Sequence, residues 1–213
     1  MTLDFEEPLW NNASTPVGVD EAGRGALAGP VVAAAVVLNR PSIPLGLDDS
    51  KQLSPRKRME LRREIIASAA AWSVGIVDAA TIDHINILQA TFKAMFEAIN
   101  GCLQHIAVET CKPHLLIDGN RFPQHELPFT TIVHGDAISP SIAAASILAK
   151  TTRDMLMIDD LHKHYPQYGF DVHKGYGTVL HRNAIITFGA CPEHRASFLS
   201  NILGKGTADA LDS

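Results

Sequence analysis

Val17-Gly18-Val19-Asp20-Glu21-Ala22-Gly23-Arg24-Gly25 is the stretch whose reading decides the fold. Val17–Val19 predicts a short buried strand, and Val31–Leu38 beyond the glycines predicts a second. Between them stand two adjacent acids that core packing does not explain, because a buried carboxylate is costly unless paired or bound to metal. Asp118 repeats the pattern where Leu115-Leu116-Ile117 stops, and Asp136 follows Thr131-Ile132-Val133-His134-Gly135. Three strand ends therefore each deliver an acid. Hard oxygen donors grouped this way suit Mg²⁺ or Mn²⁺, and two such ions about 3.5–4 Å apart make a phosphodiester-cleaving site. Each acid taken singly also fits an ordinary strand-end or turn residue, and spacing does not show that the four converge.

The glycine-rich connection lacks the Gly-Lys-Ser/Thr of a P-loop, and three residues rather than two separate Gly25 from Gly29, unlike the dinucleotide fingerprint. Two readings stand: close backbone approach to a ligand with Arg24 at a phosphate, or a tight hairpin needing positive φ. Further along, Ser54-Pro55 opens a helix running to about Ala70, and Trp72–Val77 predicts a strand. Leu88, Phe92, Met95, Ile99 and Cys102 mark the core stripe of a helix from about Asn86. Leu115–Ile117 and Thr130–Val133 read as short strands, and a long helix rich in Ala and Ser runs from Ser141 to about His164. Thr178 caps a last helix that Gly189 ends. The fold class is α/β: a mixed sheet flanked by helices, with a helical C-terminal extension from about residue 165. Residues 1–15 read as a polar surface leader, 16–204 as a single catalytic domain, and 205–213 as a flexible tail.

The chain has 213 residues, 46% of them hydrophobic, which excludes intrinsic disorder. Eighteen basic against 23 acidic residues give a formal charge of −5, so a generic basic coat for nucleic acid is excluded too. Cys102, Cys111 and Cys191 form no CxxC, and no disulfide framework is signalled. The acidic N-terminus does not read as a signal peptide, and the longest apolar run, Ala26–Leu38, falls short of the about 20 residues that a membrane span needs. A cytoplasmic protein with no membrane association is expected. Lys51, Arg56, Lys57, Arg58, Arg62 and Arg63 stand against Glu60 alone; they read equally as phosphate contacts or as a solvated helix face. His162 and His164 make a poor metal pair on a helix and read as solvated. His173 and His181 flank Tyr176 and are candidates for DNA-backbone or loop-ordering contacts.

Taken together, Val19–Gly25, Asp49-Ser50-Lys51-Gln52-Leu53, Asn86-Ile87-Leu88, Ile117-Asp118-Gly119-Asn120, Gly135-Asp136, Ser141–Lys150, Arg153-Asp154 and His173–Thr178 stand in the order seen in bacterial ribonuclease HII. The resemblance covers roughly residues 17–199 and ends in His194-Arg195-Ala196-Ser197-Phe198. It implies a ribonuclease H-like fold with a five-stranded mixed sheet. It implies that Asp20, Glu21, Asp118 and Asp136 are the catalytic, metal-binding carboxylates, and that Gly23, Arg24 and Gly25 inspect a ribose 2′-hydroxyl through their backbone. Tyr176 matches a tyrosine that stacks on the sugar at an RNA–DNA junction. Lys51 and Lys174 match phosphate contacts, with Ser139 and Ser141 as minor phosphate or helix N-terminal contacts. His134 and Ile138 depart from the family pattern, where lysines are frequent.

The function so implied is an endonuclease on the RNA strand of RNA–DNA hybrids that also cuts 5′ of ribonucleotides embedded in duplex DNA, in ribonucleotide and RNA primer removal. Two Mn²⁺ or Mg²⁺ ions are expected with substrate, leaving 3′-hydroxyl and 5′-phosphate ends. The 2′-hydroxyl is read rather than used as nucleophile. A monomer is expected, and the sequence names no protein partner. The rivals are a DNA exonuclease or resolvase on the same fold, ribonuclease HIII, which usually carries an extra N-terminal domain, and a non-catalytic hybrid-binding module.

Overall fold

The computed structural model describes residues 1–107 and 111–203. Its elements in chain order are α1 (Glu6–Asn11), β1 (Thr15–Ala22), β2 (Val31–Val37), α2 (Pro55–Ser68), β3 (Ala71–Val77), α3 (Ala79–Leu103), β4 (Pro113–Asp118), β5 (Phe129–Ile132), α4 (Gly135–Ile138), α5 (Pro140–Met155) and α6 (Val179–Phe188). After α5 the chain continues through a π-helical Leu156–Leu161 and a helical turn at His162–His164. By internal contacts the chain forms two compact units. The first comprises Met1–Ala22, Val32–Ile76 and Phe92–Thr151; the second comprises Gly23–Val31, Val77–Thr91 and the chain from Thr152 onward.

The first unit is built on a five-stranded mixed sheet of order β3-β2-β1-β4-β5. β1 runs antiparallel to β2 and parallel to β4, and β4 runs parallel to β5. β2, Val-Val-Ala-Ala-Ala-Val-Val, is buried at every position, as befits a strand covered on both faces. Strand alternation divides the helices between those faces. Trp72 and Val74 of β3 join the cluster of Leu61 and Ile65 from α2 with Ala144, Ile147 and Leu148 from α5. Gly75, one step out of phase, lies against α3: a Cβ there would stand 2.1 Å from the Ala94 carbonyl oxygen. Gly18 does the same for α5, since its Cβ would stand 2.1 Å from the Ser141 carbonyl carbon. Ser54 caps α2 as expected, its hydroxyl accepting from the Lys57 N–H.

One expectation needs correction. Residues 1–15 are no surface leader: α1 folds there, Phe5 and Leu9 pack against Leu116, Ile132 and Ile142, and Glu6 is fully buried. The helix expected from about Asn86 does start there: Asn86 has a φ of 65° and caps it, its side-chain oxygen accepting from Leu88 and Gln89 N–H. The sequence reading lacked the helical stretch that precedes this kink from Ala79, where the Asp78 carboxylate accepts from the Thr81 N–H.

In the second unit, the segment after Gly23 is held by isolated bridges, Ala26 to Tyr176 and Ala28 to His194. Met157, Leu161, Tyr168, Phe170 and Ala184 pack around Ala28, and Ile185 and Leu199 around Leu27. Thr178 caps α6 and Gly189 ends it. Among the described residues no helix is long and apolar enough to cross a membrane, and no cysteine forms a disulfide. The tail expected over 205–213 lies outside the described residues.

Candidate active site

The acids of the first unit are placed by strand register. Val19 pairs with Ile117 in parallel, so the next step along both strands sets Asp20 beside Asp118, on one face of the sheet. Asp118 is in turn opposite Ile132, and the chain turns at once into α4, where the Gly135 N–H donates to Asp118 Oδ1 at 2.7 Å. Asp136 follows, buried, with Lys51 Nζ 3.3 Å from its Oδ2. Asp20 is 4% exposed; it accepts from the Ser146 hydroxyl on α5 and, at 2.7 Å, from the Glu21 N–H. Ser146 is itself 2.9 Å from Ser50. Glu21 follows at the end of β1, half-buried, and its charge bears on Asp20.

The electrostatics are those of an acid cluster short of positive charge. Burial pushes the Asp20 carboxyl well above the usual range, and the charges of Glu21 and Asp118 push the same way. Burial and then the Asp136 charge raise Asp118, against the Gly135 and Asp136 N–H groups and Lys51. A divalent cation removes both penalties at once, and the donors are the hard oxygens that Mg²⁺ or Mn²⁺ prefer. The residues therefore fit such an ion. As placed, no three His, Cys, Asp or Glu side chains among the described residues already form a ligand set.

The second unit carries the glycine-rich loop and Tyr176. Gly23 has a φ of +96°, and a Cβ on it would lie 2.0 Å from Arg153 Nε. Arg24 and Gly25 are exposed. Tyr176 is half-buried, its ring 5.2 Å from the Arg153 guanidinium carbon. Its carbonyl can only accept, so His181 Nδ1, 3.1 Å away, carries the proton. His181 Nε2 then accepts from His194 Nε2 at 3.0 Å, and His194 Nδ1 accepts from the Cys191 N–H at 3.0 Å and its thiol at 3.1 Å. His173 lies stacked on His181, and its Nδ1 accepts from the Gly175 N–H.

Comparison with known proteins decides the family. The ribonuclease HII family model matches residues 17–201. The chain belongs to the ribonuclease HII family. Ribonuclease HII of Chlorobaculum tepidum is 51% identical over 210 residues, covering 96% of this chain and 99% of the relative. That of Burkholderia mallei is 50% identical, covering 92% and 86%. Among solved structures, the ribonuclease H2 of Pyrococcus horikoshii superposes with a TM-score of 0.68 at 25% identity, covering 93% of this chain and 97% of the other. As a member of this family the chain has the ribonuclease H-like fold and is a metal-dependent endoribonuclease acting on the RNA of RNA–DNA hybrids.

Some side chains expected at phosphates are otherwise engaged. Lys51 points to Asp136, and Lys174 Nζ donates to the Asp171 carbonyl. Ser139 and Ser141 are fully buried, and the Glu6 carboxylate already takes the helix N-terminus. Glu6 Oε1 accepts from the Ser139 hydroxyl at 2.6 Å and the Ser141 N–H at 3.1 Å. A free phosphate role for these serines is therefore corrected to a structural one. His173 and His181 are buried, which removes DNA-backbone contact and leaves loop ordering. His164 is solvated beside Asp160, while His162 is half-buried near Asp171. Of the basic stretch, Arg58 donates to the Ser50 and Leu53 carbonyls and Arg62 to the Thr151 hydroxyl, while Arg56 pairs with Glu60. His134 adopts a left-handed φ of 57° and Ile138 is partly exposed. The sequence reading missed Glu6, Arg153 and Arg195; the two arginines stood in quoted motifs without a role, and only their burial reveals one.

Proposed function

We propose that this chain cuts duplex DNA on the 5′ side of an embedded ribonucleotide, as well as RNA in hybrids, leaving 3′-hydroxyl and 5′-phosphate ends. It would serve ribonucleotide and RNA primer removal. The observation that carries the reading is the set of buried, mutually repelling acids at the ends of β1 and β4 and the start of α4. Asp20, Glu21, Asp118 and Asp136 would hold two Mn²⁺ or Mg²⁺ ions. When bound, such ions supply an activated water and neutralise charge on the departing 3′-oxygen. Ser146 and the Gly135 N–H orient Asp20 and Asp118 for that task. Lys51 balances Asp136, and on metal loading its ammonium becomes available to a phosphate oxygen.

Gly23, Arg24 and Gly25 would read the 2′-hydroxyl through backbone groups, the only atoms a two-glycine loop presents in fixed positions. Tyr176 would stack on the adjoining sugar, and Lys174 would contribute charge at the same loop. The test is cleavage of a duplex holding one ribonucleotide, with Mn²⁺ or Mg²⁺ and the ends mapped. A nick 5′ of the ribonucleotide is expected, lost in Asp118→Asn at unchanged circular dichroism and weakened in Tyr176→Ala. Wild-type turnover in Asp118→Asn, or cyclic phosphate ends, refutes the reading.

A further inference from the structure

In the second unit a buried side chain, Arg153, joins the glycine-rich loop to the tyrosine arm, beside the backbone bridge of Ala26 to Tyr176. Arg153 is fully buried, and each of its nitrogens donates to a different backbone carbonyl. Nε bonds Pro30 at 2.8 Å and Nη2 bonds Ala28 at 2.9 Å, both on the stretch that follows Gly25. Nη1 bonds Lys174 at 2.8 Å, two residues before Tyr176, whose ring the guanidinium also faces. Gly23 closes the arrangement from the other side, because its missing Cβ is the space that Arg153 Nε fills. Arg195, equally buried, sends its hydrogen bonds to the loop alone: two to Gly29 and one to Arg24.

We infer that Arg153 is a positioning residue for substrate choice. It fixes the distance between the Gly23–Gly25 backbone and the Tyr176 ring, and thereby the preference for a lone ribonucleotide over a continuous hybrid. The inference rests on the proposed reading of those two elements as the readers of ribose. A planar fork with fixed donor directions holds three carbonyls in one relative geometry, which a lysine ammonium on a flexible stem does not. A lone ribonucleotide offers one 2′-hydroxyl, so both readers must be in register with it. A continuous hybrid offers a 2′-hydroxyl at every step of the RNA strand and tolerates a shift between them. Misplacement on the scale of 1 Å costs about a hundredfold where geometry is decisive.

The experiment compares kcat and KM of wild type, Arg153→Lys and Arg195→Lys on a single-ribonucleotide duplex and on a continuous hybrid, from the same preparations. The ratio between substrates is independent of how much protein is folded, so a merely structural role leaves it unmoved. Arg153→Lys is expected to lower the ratio at least about tenfold, and Arg195→Lys to lower it less. Equal losses on both substrates in Arg153→Lys overturn the inference while leaving the proposed function intact. A wild type that ignores the single ribonucleotide overturns both. If Arg153→Lys does not fold, Arg-selective ¹⁵N spectra of the inert Asp118→Asn protein decide. The Arg153 Nε–H resonance should shift on adding single-ribonucleotide duplex and not on adding the all-DNA duplex; an identical response to both overturns the inference.

Discussion

Acidification should destabilise the protein through His181 and His194, the two buried imidazoles of one hydrogen-bonded chain. Burial, and then the charge of a neighbouring histidine, lowers both to about 4: His173 beside His181, and His181 beside His194. In the unfolded chain an imidazole takes up its proton near pH 6.5. Between about pH 6.5 and 4 the unfolded state therefore binds more protons than the folded one, and stability falls as pH falls. The contribution is fully present above pH 6.5 and lost progressively down to about 4. For one histidine the gap of about 2.5 pH units is worth about 3 kcal/mol. The pair shares a hydrogen bond, so the first proton breaks the chain and the two contributions do not simply add. For a chain of this length about 3 kcal/mol corresponds to a Tm lowered by about 6–12 °C. Asp20 and Asp118, raised in the folded state, act in the opposite sense. The assay is therefore comparative: Tm against pH from 7 to 4 for wild type and for His181→Asn, whose amide can still donate to the Tyr176 carbonyl. A flatter profile in the variant is expected. The reasoning fails if both profiles have the same slope, or if the His181 and His194 ring signals titrate near pH 6.5.

Four further outcomes are expected. Asp20→Asn should abolish cleavage yet raise Tm in EDTA, by about 1 kcal/mol of stability, since it removes a buried charge next to two others; a lowered Tm contradicts the electrostatic account. Glu6→Ala should cost about 2–3 kcal/mol by leaving the Ser139 hydroxyl proton without an acceptor and the Ser141 N–H unpartnered in the core, read as a lower urea midpoint. Gly18→Ala should cost about 3 kcal/mol or more, because the new Cβ would fall 2.1 Å from Ser141 backbone that cannot yield cheaply; a wild-type Tm would show that α5 is not pressed on β1. The slope of log K against log salt for hybrid binding should be about −3 or shallower, where phosphate contacts by all six cations of Lys51–Arg63 would give about −5.

What the sequence made legible was what local pattern encodes. Val17–Val19 and Val31–Leu38 are β-branched and apolar enough to be read as strands, and Ser54-Pro55 and Thr178 are caps whose side chains act within three residues. The acids were visible for the same reason, since a carboxylate directly after a buried run conflicts with its surroundings. What could not be read was partnership across the chain. Glu6 looked like one more acid in a polar leader, because its partners Ser139 and Ser141 come 133 and 135 residues later. The register that sets Asp20 beside Asp118 belongs to strand pairing, not to either strand. Gly23 was open to two readings, a ligand's approach or a hairpin, and its surroundings add a third: the glycine makes room for Arg153.

A net charge of −5 excluded an unspecific coat, and the basic stretch from Lys51 to Arg63 then looked like the means of holding a polyanion. Much of that stretch is instead spent internally. Arg58 and Arg62 bond carbonyl and hydroxyl oxygens, Arg56 lies on Glu60, and Lys51 lies on Asp136. Arg153 and Arg195, the two most deeply buried cations, bond only to backbone carbonyls, fixing loops rather than offering charge to solvent. The first unit, in turn, sets Asp20, Asp118 and Asp136 close together with Lys51 as the cation on Asp136. On the proposed reading, attraction for a polyanion at the cleavage point is therefore supplied mainly by the divalent ions those acids would hold, with Lys51 freed by the same loading, so that affinity at that point and competence to cleave would be conferred together.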